Sequence, residues 1–115
     1  MMGTTSLQNS TISAFNAITN TVGALVGANP SRSKITFHNP GTIDIVVFPT
    51  TVLQGLAGGG SVALAPTTSL LGGGFRIFAN GGQISLEGAA ARQAWQALSV
   101  SGSGNPLTVM EEYSR

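Results

Sequence analysis

His38 and Asp44 are the sole histidine and the sole aspartate of this chain, so acid–base chemistry would have to start from them. A serine- or threonine-type nucleophile needs a base within hydrogen-bond reach and an acid that orients the base. Thr36 and many serines supply hydroxyls. What is missing is a strained strand-to-helix elbow of the Gly-x-Ser-x-Gly kind, since Gly102-Ser103-Gly104 falls in a soft turn. The residue types therefore favour an exposed cross-strand His38–Asp44 pair, worth about 0.2 to 1 kcal/mol, over a small hydrolase built on His38.

Other chemistries find less to work with. Asp44, Glu87, Glu111 and Glu112 are all the acidic side chains present, and Glu111 and Glu112 are neighbours in a strand pattern, hence on opposite faces. That is poor material for a glycosidase pair. One histidine and no cysteine remove thiol catalysis, disulfides and the usual zinc ligand sets, although a calcium site made of carbonyls stays open. The runs Gly58-Gly59-Gly60 and Gly72-Gly73-Gly74 precede strand patterns, and Lys34, the sole lysine, follows no glycine run, so a phosphate loop is not formed. No catalytic, cofactor-binding or metal-binding residue is assigned. Trp95, Phe78 and Tyr113 offer a sugar-binding face, but core packing or subunit contact is the better reading of Trp95 and Phe78.

The stretch Arg32–Pro49 has to position His38 and Asp44. Ile35 and Phe37 alternate with Lys34, Thr36 and His38, the period of a half-buried strand. Asn39-Pro40-Gly41 breaks the strand, and the β-branched and aromatic run from Ile43 to Phe48 resumes it. Read as a hairpin with the loop Pro40 to Thr42, Asn39 lies opposite Ile43. Ile35 and Phe37 then share a face with Ile43, Ile45 and Val47, and His38 meets Asp44 on the other face. Val46 and Phe48 are left pointing outward, in need of a cover.

Along the rest of the chain, Met1 to Asn9 is polar and uncharged, with Leu7 as its one anchor. Ile12, Phe15, Ile18 and Val22 fall near helical spacing, yet Thr19, Asn20 and Thr21 favour extended chain, so Thr11 to Ile18 stays open and Thr21 to Val26 reads as strand. Val62 and Leu64 mark a short strand, and Phe75 to Asn80 another. Gly81-Gly82 turns tightly into Gln83 to Glu87. Ala89 to Leu98 has the best helix propensity in the chain, so helix or strand stays open over Gly88 to Leu98. Trp95 and Val100 favour the β reading, a loop or single turn over Gly88 to Arg92 and a strand from Gln93 to Val100 running back beside Gln83 to Glu87. Leu107, Val109 and Glu111 alternate with Thr108, Met110 and Glu112 in a last strand. The sum is all-β: an antiparallel β-sandwich or jelly roll of about eight short strands, with residues 1–20 as an N-terminal arm and 21–115 as the sandwich domain.

Composition bounds the role. A chain of 115 residues makes one domain that can bury roughly 65% of its unfolded surface. Only 8% of residues are charged, against about 25% in an ordinary soluble domain. The net charge of +1 gives no basic footprint for nucleic acid. No apolar run approaches the ~20 residues that cross a bilayer, and the first residues lack the basic start and apolar block of a signal peptide, so export by the standard route is not expected. A surface of Ser, Thr, Asn, Gln, Gly and Ala suits a protein that meets other subunits.

Ala28-Asn29-Pro30-Ser31-Arg32, then Ile35 to Thr42, then Ile43-Asp44-Ile45-Val46-Val47 resemble small all-β virion proteins of tailed bacteriophages. Gly82-Gln83-Ile84-Ser85, Ala94-Trp95-Gln96-Ala97 and Leu107-Thr108-Val109-Met110-Glu111 are similar to the same layout. The resemblance implies a structural, non-enzymatic role in the virion, assembled in the host cytoplasm, most often as a head decoration (cement) protein and sometimes as a tail or fibre module. Its partners would be copies of itself, as a dimer or trimer, and the major capsid protein or another virion protein. Val46 and Phe48 are the first expected contacts, with Phe48→Asp leaving a folded monomer that does not assemble. Arg32, Arg76 and Arg92 are expected polar anchors, and Leu7, Trp95 and Tyr113 complete the interface set.

Overall fold

A computed structural model describes residues 9–49, 52–55, 61–64 and 74–114. In chain order the elements are β1 (Asn9–Ile18), β2 (Gly23–Val26), β3 (Arg32–Asn39), β4 (Ile45–Pro49), β5 (Val52–Gly55), β6 (Ser61–Leu64), β7 (Phe75–Ile77), β8 (Gly82–Glu87), the single turn α1 (Ala89–Arg92), β9 (Trp95–Ser99) and β10 (Asn105–Tyr113). One four-stranded sheet has the order β1-β10-β3-β8, a second has the order β2-β9-β4-β7, and β5 and β6 pair with each other. All these pairings are antiparallel.

The order has a simple meaning. Leaving aside β5 and β6, the chain visits the first sheet with β1, β3, β8 and β10 and the second with β2, β4, β7 and β9. This interleaving is the jelly roll, two Greek keys wrapped into a sandwich, and the all-β antiparallel sandwich expected from alternation is what forms.

The expected β3–β4 hairpin does not form. β3 is flanked by β10 and β8, and β4 by β9 and β7, so each is interior to its own sheet. Facing strands of a sandwich and paired strands of a hairpin impose the same apolar alternation, so alternation alone does not name the partner strand. Ile35, Phe37, Ile45 and Val47 do share one buried core, now across the gap between sheets, with Ile77, Trp95, Leu107 and Val109. The Gly81-Gly82 turn likewise joins strands of different sheets, and β9 lies between β2 and β4 rather than beside β8.

The N-terminal boundary also moves. β1 pairs with β10 from Asn9↔Tyr113 to Phe15↔Leu107, so residues 9–18 belong to the sandwich and not to an arm. The ladder slips after Phe15 and resumes at Ile18↔Asn105. This bulge returns Ile18 to the core and gives Phe15 and Ile18 a three-residue spacing that imitates a helix. Leu7 lies outside the described residues. The loop or single turn expected before Gln93 is α1, and the strand expected over Gln93 to Val100 forms as the shorter β9, Trp95–Ser99.

Asn39 holds the crossing between sheets. It is fully buried; its Nδ2 donates to the carbonyls of Ile43 (2.8 Å) and Ile77 (3.0 Å), and its Oδ1 accepts the Gly41 N–H at 3.0 Å. Its backbone carbonyl accepts the Gly81 N–H at 2.8 Å, so two of the turns that change sheets, β3 to β4 and β7 to β8, are tied together. Asn80 (φ 64°) and Gly81 (φ 102°) take the left-handed backbone such a tight turn requires.

Candidate functional site

His38 and Asp44 are not brought together. His38 lies between Thr108 of β10 and Gln83 of β8 on the outer face of the first sheet. Asp44 sits in the crossover to the second sheet, where Arg76 Nε donates to Oδ2 at 2.9 Å and the Ala79 N–H donates to Oδ1 at 2.7 Å. The Ala79 N–H, and after it the Arg76 guanidinium, hold the Asp44 carboxyl below its ordinary 3.8 against the opposing effect of partial burial. Asp44 therefore fastens a turn and orients no base. Among the described residues, no three His, Cys, Asp or Glu side chains gather as a metal site would require.

Arg32, expected as a surface anchor, is instead 2% exposed. Its Nε donates to Glu111 Oε2 at 2.9 Å, its Nη1 to the carbonyls of Ala91 and Gln93 at 2.9 Å each, and its Nη2 to that of Gly27 at 2.6 Å. The Tyr113 hydroxyl donates to the same Glu111 oxygen at 3.0 Å. The cause is local. β3 pairs Lys34↔Glu112 and then Arg32↔Tyr113, so Ser33 is an extra residue that turns Arg32 inward, where plain alternation would send it out. One guanidinium thus ties the ends of β2, α1 and β10 to the start of β3.

The other expected contact residues are mostly spent inside the chain. Val46 and Phe48 do point to the outer side of β4, but both are fully buried there in a small cluster with Leu98, flanked by Val22 and Val100. Gly74 lies against the Phe48 ring so closely that a Cβ would come within 2.7 Å of it. They are thus not a vacant docking patch. Trp95 is 2% exposed, meets the Phe37 ring edge-to-face at 5.3 Å, and donates its Nε1–H to the Ala90 carbonyl at 3.0 Å. Tyr113 is half-buried over Glu111, and the following Ser114 N–H donates to the Ser31 carbonyl at 2.9 Å, so the expected tail is bound to the sandwich up to that residue. Arg92 is exposed. Arg76 is exposed beside Asp44, with its guanidinium 6.0 Å from the Phe78 ring centre.

What remains available for contact lies at sheet edges. Among the described residues the exposed large apolar side chains are Ile12 (71%), Phe78 (63%) and Phe75 (41%). Phe75 and Phe78 belong to β7 and the turn after it, at the edge of the second sheet. Ile12 is on β1, which edges the first sheet and has β10 on one side and no described strand on the other. Its sequence, Asn-Ser-Thr-Ile-Ser-Ala-Phe-Asn-Ala-Ile, holds no charge and no proline, the devices that usually keep an edge from pairing. A groove of about 470 Å³ opens between β1 and β2, lined by uncharged residues including Phe15, Ile18, Thr21, Val22, Ala24 and Ala97. Sequence reasoning passed over Ile12 because its spacing to Phe15 and Ile18 suggested a helix.

The outer face of the first sheet is polar by contrast. Lys34 stands between Glu112 and Glu87 on the neighbouring strands, and the Thr36 and Ser85 hydroxyls share a hydrogen bond of 2.8 Å.

No family model matches the sequence, and the search of curated proteins found no match. Solved structures do match in fold. One is of Bacillus endospore appendages, which form disulfide-linked pili: TM-score 0.50, 9% identity, 96% of this chain and 88% of that one. Another is the stem and receptor-binding domain of the spike protein P1 from bacteriophage PM2: TM-score 0.51, 15% identity, 89% of this chain but 32% of that one. A dTDP-4-dehydrorhamnose 3,5-epimerase of Bacillus anthracis str. Ames matches more loosely, at a TM-score of 0.46 and 12% identity over 97% of this chain and 56% of that one. This chain thus spans 32% of the PM2 spike. At such identities the likeness concerns the fold.

Proposed function

We propose that this chain is a non-enzymatic structural subunit of a bacteriophage particle, a capsid decoration (cement) protein that binds copies of itself and the major capsid protein or another virion protein. The observation that carries the reading is the uncharged, open β1 edge on a chain whose polar pairs are committed to internal ties. Arg32 with Glu111 and Arg76 with Asp44 fasten turns and strand ends, while the outer edge of β1 has no partner strand among the described residues and carries no blocking charge. A jelly roll shared with a phage spike domain is in keeping with this role. Contacts would form through β1 and Ile12 at one edge and Phe75 and Phe78 at the other, not through Val46 and Phe48. Burial of apolar area there contributes about 25 cal/mol per Å² before the costs of association.

A second reading is favoured by Arg76 and Phe78, exposed together on β7 and its turn, with Phe75 part-exposed on the opposite face of the same edge strand beside Trp95. It makes the chain a tail or fibre module whose aromatic edge meets a host carbohydrate or receptor. The two separate by experiment. A cement protein raises the temperature at which particles lacking it release DNA and binds no glycan on an array. A fibre module does the reverse.

A further inference from the structure

The regular part of β1 runs from Asn9 to Phe15, the span that pairs with β10 before the ladder slips. Its midpoint is Ile12. Directly across β10 from Ile12 stands Met110, and the rest of that outer row continues through Thr36 of β3 to Ser85 of β8. The row therefore ends at the sheet edge in an isoleucine that is 71% exposed, beside Met110 on a face that is otherwise mostly polar. Asn9 to Ile12 are exposed on both faces of the strand, so nothing in the described chain shields this edge.

We infer that β1 is a homotypic pairing edge: two copies join β1 to β1, antiparallel, with Ile12 of one copy opposite Ile12 of the other on a twofold axis. This deepens the self-association in the proposed function and rests on that part alone, not on the identity of the particle. The register follows from the strand. A twofold axis perpendicular to the sheet keeps the outer faces of both copies on the same side, which requires an even sum of paired residue numbers. Centring the pair on Ile12 uses the whole regular segment, sets Ser10 opposite Ala14 and Thr11 opposite Ser13, and merges the two first sheets into one. Met110, Ile12, Ile12 of the second copy and its Met110 then form a continuous apolar row. Because β1 carries no charge, the pairing places no like charges opposite each other. The cysteine-free chain leaves this join to backbone hydrogen bonds and Ile12 contact, without a disulfide.

The absence of cysteine also supplies the test, because a single introduced thiol can link only to another copy. Ile12→Cys places two cysteines directly opposite, within the reach of a disulfide. Asn9→Cys places them roughly 20 Å apart in the same register, and Ser103→Cys lies in an exposed turn beyond the Ile18 end of β1, outside the paired segment Asn9 to Phe15. Under mild oxidation Ile12→Cys is expected to convert to covalent dimer at least tenfold faster than either control. In sedimentation the wild type is expected as a dimer, and Ile12→Lys as a folded monomer by circular dichroism. A wild type that sediments as a monomer overturns the inference. So does an oligomer in which Ile12→Cys links no faster than Ser103→Cys, which leaves self-association through another surface standing.

Discussion

Arg32 and Glu111 lie 79 residues apart in the chain and meet at 2.9 Å inside the sandwich, with side chains 2% and 10% exposed. A charge taken out of water is costly unless its hydrogen bonds are replaced, and Arg32 has four replacements and Glu111 two. Removing one partner leaves the other buried and unpaired. Arg32→Met is expected to lower unfolding stability by about 3–5 kcal/mol, measured by urea denaturation. Tyr113→Phe takes away one neutral donor and should cost about 1 kcal/mol.

Asp44 makes the crossover turn sensitive to acid. Its folded-state pKa is depressed below 3.8, chiefly by the Ala79 N–H. The group therefore adds stability at all pH values above its unfolded pKa, and that contribution disappears as pH falls through the lowered folded value. Wild-type stability should decline on acidification below about pH 4 more steeply than that of Asp44→Asn, which lacks the titrating group. Denaturant midpoints taken across the acid range give the comparison.

Phe48→Asp now carries a different expectation from the one its sequence position suggested. The side chain is fully buried in an apolar cluster with Leu98 and Val46, so a carboxylate there loses its hydration. The variant should lose its fold, by more than about 4 kcal/mol, and appear unfolded by circular dichroism instead of as a folded monomer.

Ser99 offers the opposite sign. Its hydroxyl is buried with no hydrogen-bond partner among the described residues. Ser99→Ala removes an unsatisfied group without opening much space, and is expected to raise stability by about 1 kcal/mol, seen as a higher melting temperature.

The sequence made the alternating strands legible, since Ile35, Phe37, Ile45, Val47, Leu107 and Val109 were marked by type and spacing and all reach the core. It could not say which strands pair, because hairpin and sandwich neighbours share one alternation. Two bulges hid more. The extra residue at Ser33 turned Arg32 from an expected surface anchor into an internal clamp, and the slip after Phe15 gave β1 the near-helical spacing that left Thr11 to Ile18 open. Asn39 reads as an ordinary turn residue until its three side-chain hydrogen bonds are seen to join the sheets. The available edges, Ile12 with Phe75 and Phe78, emerged only once the sheets had been closed around Val46, Phe48 and Trp95.

The most direct measurement for the proposed particle-bound role is co-sedimentation of the purified wild-type chain with phage particles assembled without it. Saturable binding, at a fixed ratio to the capsid lattice and weakened by Ile12→Lys or by Phe78→Asp, is the predicted result. A chain that stays in the supernatant at every concentration, as a stable single copy, would contradict it.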